Sequence, residues 1–314
     1  MRFERWPEVL QEAANWGLLS PHSGLPGCLR LQPILPYFLR SRLAAPERAG
    51  VRHAVETAFR QHYDGLGGAI AGLLESKDAR EKQRGQALAR LEYENLVTAL
   101  NLGLAAQVSI LNPYKALSFY PDAVQDQRRG LALGETVLAR LEAYPAEALA
   151  RQLGGEFVTV LDNIAKRQLL LKQYAAAAES YQRTLGLVAG LRSIDEKTRG
   201  LFSASVYHQL GIVGQEQRQW AQAERYYGQA LEILIEFNDR YSQASTYHQL
   251  GRVAEAQRRW AQARAYFLQA LEAYVAYEDS HYVGIVLGKP GPPVAGQPRR
   301  RPARRHGAHP GEHA

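Results

Sequence analysis

Two histidines recur at one place in two near-copies of a segment. His208 lies in Ala204-Ser205-Val206-Tyr207-His208-Gln209-Leu210-Gly211, and His248 in Ala244-Ser245-Thr246-Tyr247-His248-Gln249-Leu250-Gly251. Imidazole nitrogens can ligate a metal, but a site here requires two helices to aim both rings at one ion. Recurrence with the segment instead places both rings on a solvent-facing groove, and no metal is expected. Cys28, the only cysteine, sits in an apolar loop without a nearby histidine or basic group to activate it, so it reads as a structural thiol. Gly65, Gly67, Gly68 and Gly72 lack the Gly-x-Gly-x-x-Gly spacing and no strand precedes them, so they mark a helix break or close packing. No Gly-x-x-x-x-Gly-Lys-Ser/Thr occurs, and no acid and base are paired at recognisable spacing. No cofactor and no enzymatic activity are expected.

The elements that carry these residues must therefore explain the chain. With 22% charged and 46% hydrophobic residues over 314 positions, the composition is globular and allows two domains or one elongated array. A single cysteine excludes a disulfide framework and suits a reducing compartment. No secretory leader is apparent, and Asn101 and Gln107 interrupt the most apolar long run, Leu96 to Leu111, so a cytoplasmic protein without membrane spans is expected. The formal charge of +7 points at nucleic acid, yet residues 289–314 hold six basic residues against Glu312, a charge of +5. The rest of the chain is close to neutral. Arg40 and Arg42 are too small a cluster for a groove-reading helix, and no nucleic-acid partner is expected.

Beyond the histidine segments, Trp220-Ala221-Gln222-Ala223 returns as Trp260-Ala261-Gln262-Ala263, and Gln229-Ala230-Leu231-Glu232 as Gln269-Ala270-Leu271-Glu272. A weaker copy lies upstream, with Tyr174-Ala175-Ala176-Ala177, Tyr181 and Leu185 at an offset of 46. Ala223, Tyr227, Ala230, Leu231 and Leu234 step by three or four and mark one helical face. Tyr207, Leu210, Gly211 and Val213 mark the inner side of a preceding helix, and Gln217-Arg218-Gln219-Trp220 makes the turn between them. Gly211 and Ala223 let the two backbones approach, with Tyr227 filling the space beside them. The unit is an antiparallel helix pair.

Leu210-Gly211, Ala223, Tyr227 and Ala230 resemble the tetratricopeptide repeat, whose consensus has Leu-Gly, then a small residue, an aromatic and Ala at these separations. Leu250, Gly251, Ala263, Phe267 and Ala270 repeat the set, while upstream Ile164, Ala165, Ala177 and Tyr181 fit but Thr184 replaces the last Ala. The period of 40, against the usual 34, resembles the longer repeats of kinesin light chains and bacterial signal-transduction ATPases, in which an Asp such as Asp239 or Asp279 caps the next helix. The resemblance implies an all-α fold, an α-solenoid of antiparallel helix pairs winding as a right-handed superhelix. It also implies a protein-interaction scaffold that holds a peptide or protein segment on its concave side. By the same resemblance the groove positions are Ser205, His208, Ile212 and Gln215, then Ser245, His248, Arg252 and Glu255. The Lys and Asn set that clamps a terminal carboxylate in some relatives is missing, so chaperone-tail recognition is not supported.

Trp6 to Leu19 reads as an amphipathic helix, followed by turns at Ser20-Pro21-His22 and Gly24-Leu25-Pro26 and an apolar stretch from Leu29 to Leu39. This order is similar to the last helix and wing of the winged-helix module of signal-transduction ATPases. Glu92-x-x-Asn95-Leu96-x-x-Ala99-Leu100 is similar to the helix that opens their superhelical arm. An alternative function follows, a sensor arm whose nucleotide-binding domain lies outside this chain. Between these regions, helices are expected over Val51–Leu74, Ala79–Gln107, from about Asn112-Pro113, and over Pro121–Leu141. The expected divisions are 1–45 a winged-helix-like remnant, 46–150 a helical linking bundle or degenerate repeats, 151–288 tetratricopeptide repeats, and 289–314 a disordered basic tail.

The tail from Lys289-Pro290-Gly291-Pro292-Pro293 onward holds six basic residues, Arg299-Arg300-Arg301 among them, and no aromatic residue, and cannot build a core. It also interrupts a helix that Asp279 is expected to open. Reading GC-rich codons one base later restores Leu and Ala where the repeat requires them, which points to a frameshifted C-terminus. The last complete helix, Ala261 to Tyr277, is then left with an apolar strip and no covering helix, so self-association through this end is expected.

Overall fold

The structure is a computed structural model, and it describes residues 5–21, 29–31, 41–145, 153–191 and 194–287. It divides into two compact units, Met1–Asn163 and Ile164–Ala314. Cys28, Arg40, the Arg299–Arg301 run and the rest of the tail lie outside the described residues.

In the first unit, helix α1 (Trp6–Asn15) precedes strands β1 (Leu19–Pro21) and β2 (Leu29–Leu31), which pair antiparallel with Leu19 opposite Leu31. The helix stops four residues before Leu19 because Gly17 takes a left-handed conformation, φ +67°, and its N–H bonds back to the Ala14 carbonyl at 2.9 Å. After a short 3-10 turn at Pro46–Arg48, the described residues include α2 (Ala49–Glu75), α3 (Ala79–Leu91), α4 (Tyr93–Ala106), α5 (Leu111–Ala123) and α6 (Gln127–Glu142). Helix α2 packs on α3, α4 and α5.

All four clustered glycines lie inside the unbroken α2. Gly67 serves close packing, since a Cβ there would sit 3.0 Å from the Asn112 and Pro113 backbone. The expected single helix over Ala79–Gln107 breaks at Glu92. That carboxylate accepts hydrogen bonds from the Tyr63 hydroxyl (3.0 Å) and the Asn95 amide (2.8 Å), tying α4 to α2. Burial and the Glu92 carboxylate push the Tyr63 hydroxyl up to about 12. Leu96, Ala99 and Leu100 of the same motif are core residues. Pro121 closes α5 instead of opening the next helix, whose start is set by Asp126 accepting from the Arg129 N–H at 3.1 Å.

Helix α7 (Gly154–Leu170) spans the division between the units. The second unit continues with α8 (Tyr174–Gly190), α9 (Glu196–Glu216), α10 (Trp220–Glu236), α11 (Arg240–Ala256), α12 (Trp260–Ala276) and α13 (Ser280–Leu287). This unit is an all-α solenoid of antiparallel helix pairs: α9 packs on α10 and α11 on α12, with α10 against α11 joining the pairs.

From α10 to α12 each helix has 17 residues and each turn three, so left-handed residues recur at Arg218, Asn238, Arg258 and Glu278, φ 54 to 61°. Each turn closes by two hydrogen bonds to the preceding helix. At Asn238 the N–H donates to the Ile235 carbonyl (3.1 Å), and at Asp239 to Leu234 (2.9 Å). Asp195, Asp239 and Asp279 then accept the first free N–H groups of α9, α11 and α13.

The close approach read from the sequence is present, with one refinement. A Cβ on Gly211 would overlap the Tyr227 ring, while Ala223 faces Gly214, not Gly211, its N atom 3.1 Å from a Cβ built there. Tyr181 and Tyr227 are fully buried at equivalent positions, and Thr184, where the repeat has Ala, is buried and donates its hydroxyl to the Ser180 carbonyl at 2.8 Å.

Candidate functional site

A cleft of about 290 Å³ opens between α9 and α11, the first helices of the two pairs. Three of the expected groove residues line it, Ser205, His208 and Ser245, together with Gln209, Ser242 and Thr246. Ser205 is exposed, and His208 and Ser245 are half-buried. The remaining positions lie away from the cleft: Ile212, Arg252 and Glu255 are half-buried, and Gln215 and His248 are buried. Gln215 accepts a hydrogen bond from the Tyr227 hydroxyl at 3.3 Å, and His248 packs on Phe267 with ring centres 5.7 Å apart, so both side chains brace the helix pair from within. Arg252 donates to Gln249 at 3.1 Å.

Residues 208 and 215, seven apart, share one face of α9, and both meet Tyr227, His208 with its ring and Gln215 at the hydroxyl. Tyr227 fills the gap that Gly211 leaves, and its hydroxyl then needs a buried acceptor, which Gln215 supplies.

His208 is the chemical centre of the cleft. Its Nδ1 lies 3.0 Å from the Thr246 hydroxyl, and its ring meets Tyr227 edge-on at 5.4 Å. The Thr246 hydroxyl donates to the Ser242 carbonyl at 3.1 Å, which assigns the imidazole hydrogen to Nδ1 and leaves Nε2 as an acceptor. Thr246 replaces the Val206 of the preceding copy and is itself buried, its hydroxyl shared between the Ser242 carbonyl and His208. Sequence comparison of the copies holds that signal, one Val against one Thr, but not its partner. The other ionisable groups are engaged elsewhere. Asp239 accepts from the Ser242 N–H (3.0 Å) and hydroxyl (2.7 Å), and the Tyr241 hydroxyl donates to Asp279 at 2.9 Å. Among the described residues no lysine or arginine lines the cleft, so it has no positive charge for an anion.

Burial holds the His208 imidazole down at about 4, against about 6.5 in an unfolded chain. Below pH 6.5 the unfolded chain binds a proton that the folded one refuses, so stability present above pH 6.5 is lost progressively as pH falls toward 4. The full loss is about 3 kcal/mol. Denaturant melts between pH 7 and 4 should show this slope, and His208→Gln, which keeps a polar partner for Thr246, should flatten it. An unchanged slope in the variant would place the titration elsewhere.

Among the described residues no group of three or more His, Cys, Asp or Glu side chains is placed to hold a metal ion, and no helix is long and apolar enough to cross a membrane.

Comparison with known proteins adds the following. Residues 202–274 match the tetratricopeptide repeat family, so this segment carries tetratricopeptide repeats. Similar solved structures include a putative kinesin light chain of Podosopora anserina with nearly identical TPR-like repeats, 16% identical, covering 70% of this chain and 99% of that one, TM-score 0.49. Bacillus thuringiensis PlcR, solved with the peptide PapR7 and DNA, is 12% identical over 69% of this chain and 77% of that one, TM-score 0.48. Pseudomonas aeruginosa pilF is 16% identical over 74% and 90%, TM-score 0.45. Comparison with curated proteins finds no match.

Proposed function

We propose that the chain is a non-catalytic, cytoplasmic interaction scaffold that holds a peptide or protein segment on the face formed by α9 and α11, the concave side of the repeat array. The observation that carries this reading is the cleft at Ser205, His208 and Ser245, lined by hydroxyls, an amide and an imidazole. Such groups bond peptide N–H and C=O groups without supplying charge. The reading is tested by selecting binding peptides from a random display library against the full chain, then introducing Ser205→Trp and Ser245→Trp. Both variants should fold and lose the selected peptides. Peptides whose binding ignores both substitutions would refute the site. Calorimetry with ATP should show no binding in the micromolar range, since no phosphate loop is present, and measurable binding would overturn the non-catalytic reading.

A second reading, the regulatory arm of a signal-transduction ATPase, is supported by the order helix, turn and hairpin over Trp6–Leu31 and by the buried Leu96, Ala99 and Leu100 of the α4 motif. A nucleotide-binding segment encoded immediately upstream would favour it over a free-standing adaptor. As a further partner, the scaffold takes a second copy of itself through the α12–α13 end.

A further inference from the structure

A second cavity of about 310 Å³ lies between α11 and α12 and shares no residue with the cleft above. Its walls are Arg240, Ala244 and Tyr247 on α11, and Glu272, Ala273 and Ala276 on α12, with Tyr277 beyond them. The preceding repeat shows what this space accommodates. At the positions of Arg240, Ala273, Ala276 and Tyr277 it has Gly200, Ile233, Glu236 and Phe237. There the Phe237 ring lies directly on Gly200, so closely that a Cβ on the glycine would overlap it. In the second repeat Arg240 takes away that seat, and the half-buried Ala273 stands where the preceding repeat has the larger Ile233. Tyr277 instead leans edge-on against Tyr241, ring centres 5.5 Å apart, and is 52% exposed. The space that one repeat fills with its own phenyl ring is open in the next.

We propose that this slot binds an aromatic side chain of a partner peptide. Tyr247 and Tyr277 offer ring faces and edges, and Ala244, Ala273 and Ala276 the apolar floor. The exposed Arg240 on one wall and Glu272 on the other offer a donor and an acceptor to the peptide backbone on either side of the ring. The assignment is independent of the cleft at His208, because it stands on the exchange of Gly200 for a larger and Ile233 for a smaller residue one repeat later.

The test uses the full chain with labelled alanine methyl groups and N-acetyl-phenylalaninamide as probe. The Ala273 and Ala276 signals should move saturably with this probe and respond about tenfold more weakly to N-acetyl-serinamide. Arg240→Gly combined with Ala273→Ile, which rebuilds the filled slot of the preceding repeat, should abolish the response. Ala276→Glu, at an exposed position where the first repeat already has Glu, gives the same reading without risk to the fold. Equal response to both probes, no response, or a response that survives both fillings would overturn the proposal. So would binding that appears only in Tyr277→Ala, which would show the chain's own ring as the occupant, or signals that move with protein concentration alone, which would show a second copy.

Discussion

Gly211→Ala is expected to destabilise the second unit, although alanine in place of a glycine within a helix ordinarily stabilises by about 1 kcal/mol. The sign reverses because a Cβ at this position overlaps the Tyr227 ring. That ring has nowhere to go: it is fully buried, meets the His208 edge at 5.4 Å, and its hydroxyl is held by Gln215. Gly211→Leu adds three further carbons at the same point and should cost about 3 kcal/mol, the upper part of the usual overpacking range. Two controls fix the interpretation. Gly228 lies within α10 with open space where its Cβ would be, so Gly228→Ala should stabilise by about 0.5 to 1 kcal/mol. Gln222 is exposed, so Gln222→Leu should stay within about 0.5 kcal/mol of the parent. Gly251→Ala should fall between these limits, because the Phe267 ring that the new Cβ would overlap is only half-buried and can swing aside. Melting curves provide the ranking. If Gly211→Ala stabilised like Gly228→Ala, or Gln222→Leu proved the most damaging, the pairing of α9 with α10 would be wrong.

The helix pairs of the second unit were readable because every signal repeats. The Trp-Ala-Gln-Ala start, the small residue against an aromatic, and the Asp that caps the next helix all return at fixed intervals, and a packing rule stated twice in one chain is hard to mistake. What escaped the sequence depends on contacts between distant residues. Helix α4 begins at Tyr93 because Tyr63, 29 residues earlier, bonds the Glu92 carboxylate, and nothing near Glu92 announces that partner. Pro121 looked like a helix start, yet it fits the end of α5, where the Asp126 N–H closes the turn on its carbonyl at 2.8 Å. In the candidate site, Ser205, His208 and Ser245 are placed together as neighbours in the groove. Gln215 and His248 were grouped with them by the consensus, but both are buried, Gln215 against the Tyr227 hydroxyl and His248 against the Phe267 ring. Thr246 was visible only as a single difference between two copies.

The second large effect concerns association. Equivalent positions in the two repeats differ in one direction. Tyr226, Tyr227 and Leu231 are buried, while Tyr266, Phe267 and Leu271 are half-buried; Phe237 is half-buried, while Tyr277 is 52% exposed. The first repeat has a full helix pair packed over it, and α13, described over Ser280–Leu287, packs on the second. That helix covers part of the strip. Val286 joins Ala244, Ala270 and Tyr274 in one core cluster, and Tyr282 stacks on Tyr274 with ring centres 4.9 Å apart. It also presents an apolar face of its own, with Ile285 37% and Leu287 65% exposed. A repeat gains stability from each covered face, at about 25 cal/mol per Å² of apolar surface, so a second copy docked on these exposed side chains would add to it. A stable dimer needs about 800 Å² from each partner, which α13 and the adjoining strip of α12 must supply together. The full chain should therefore show concentration-dependent mass in light scattering at tens of micromolar. Leu287→Glu should shift it to monomer without lowering its melting temperature, since that side chain is 65% exposed. Removing residues 288–314 separates this from a competing cover. If the full chain were a monomer and the shortened one a dimer, the chain's own last segment would occupy the face, and the second copy would be excluded. A monomer in both forms would exclude the face as an interface altogether.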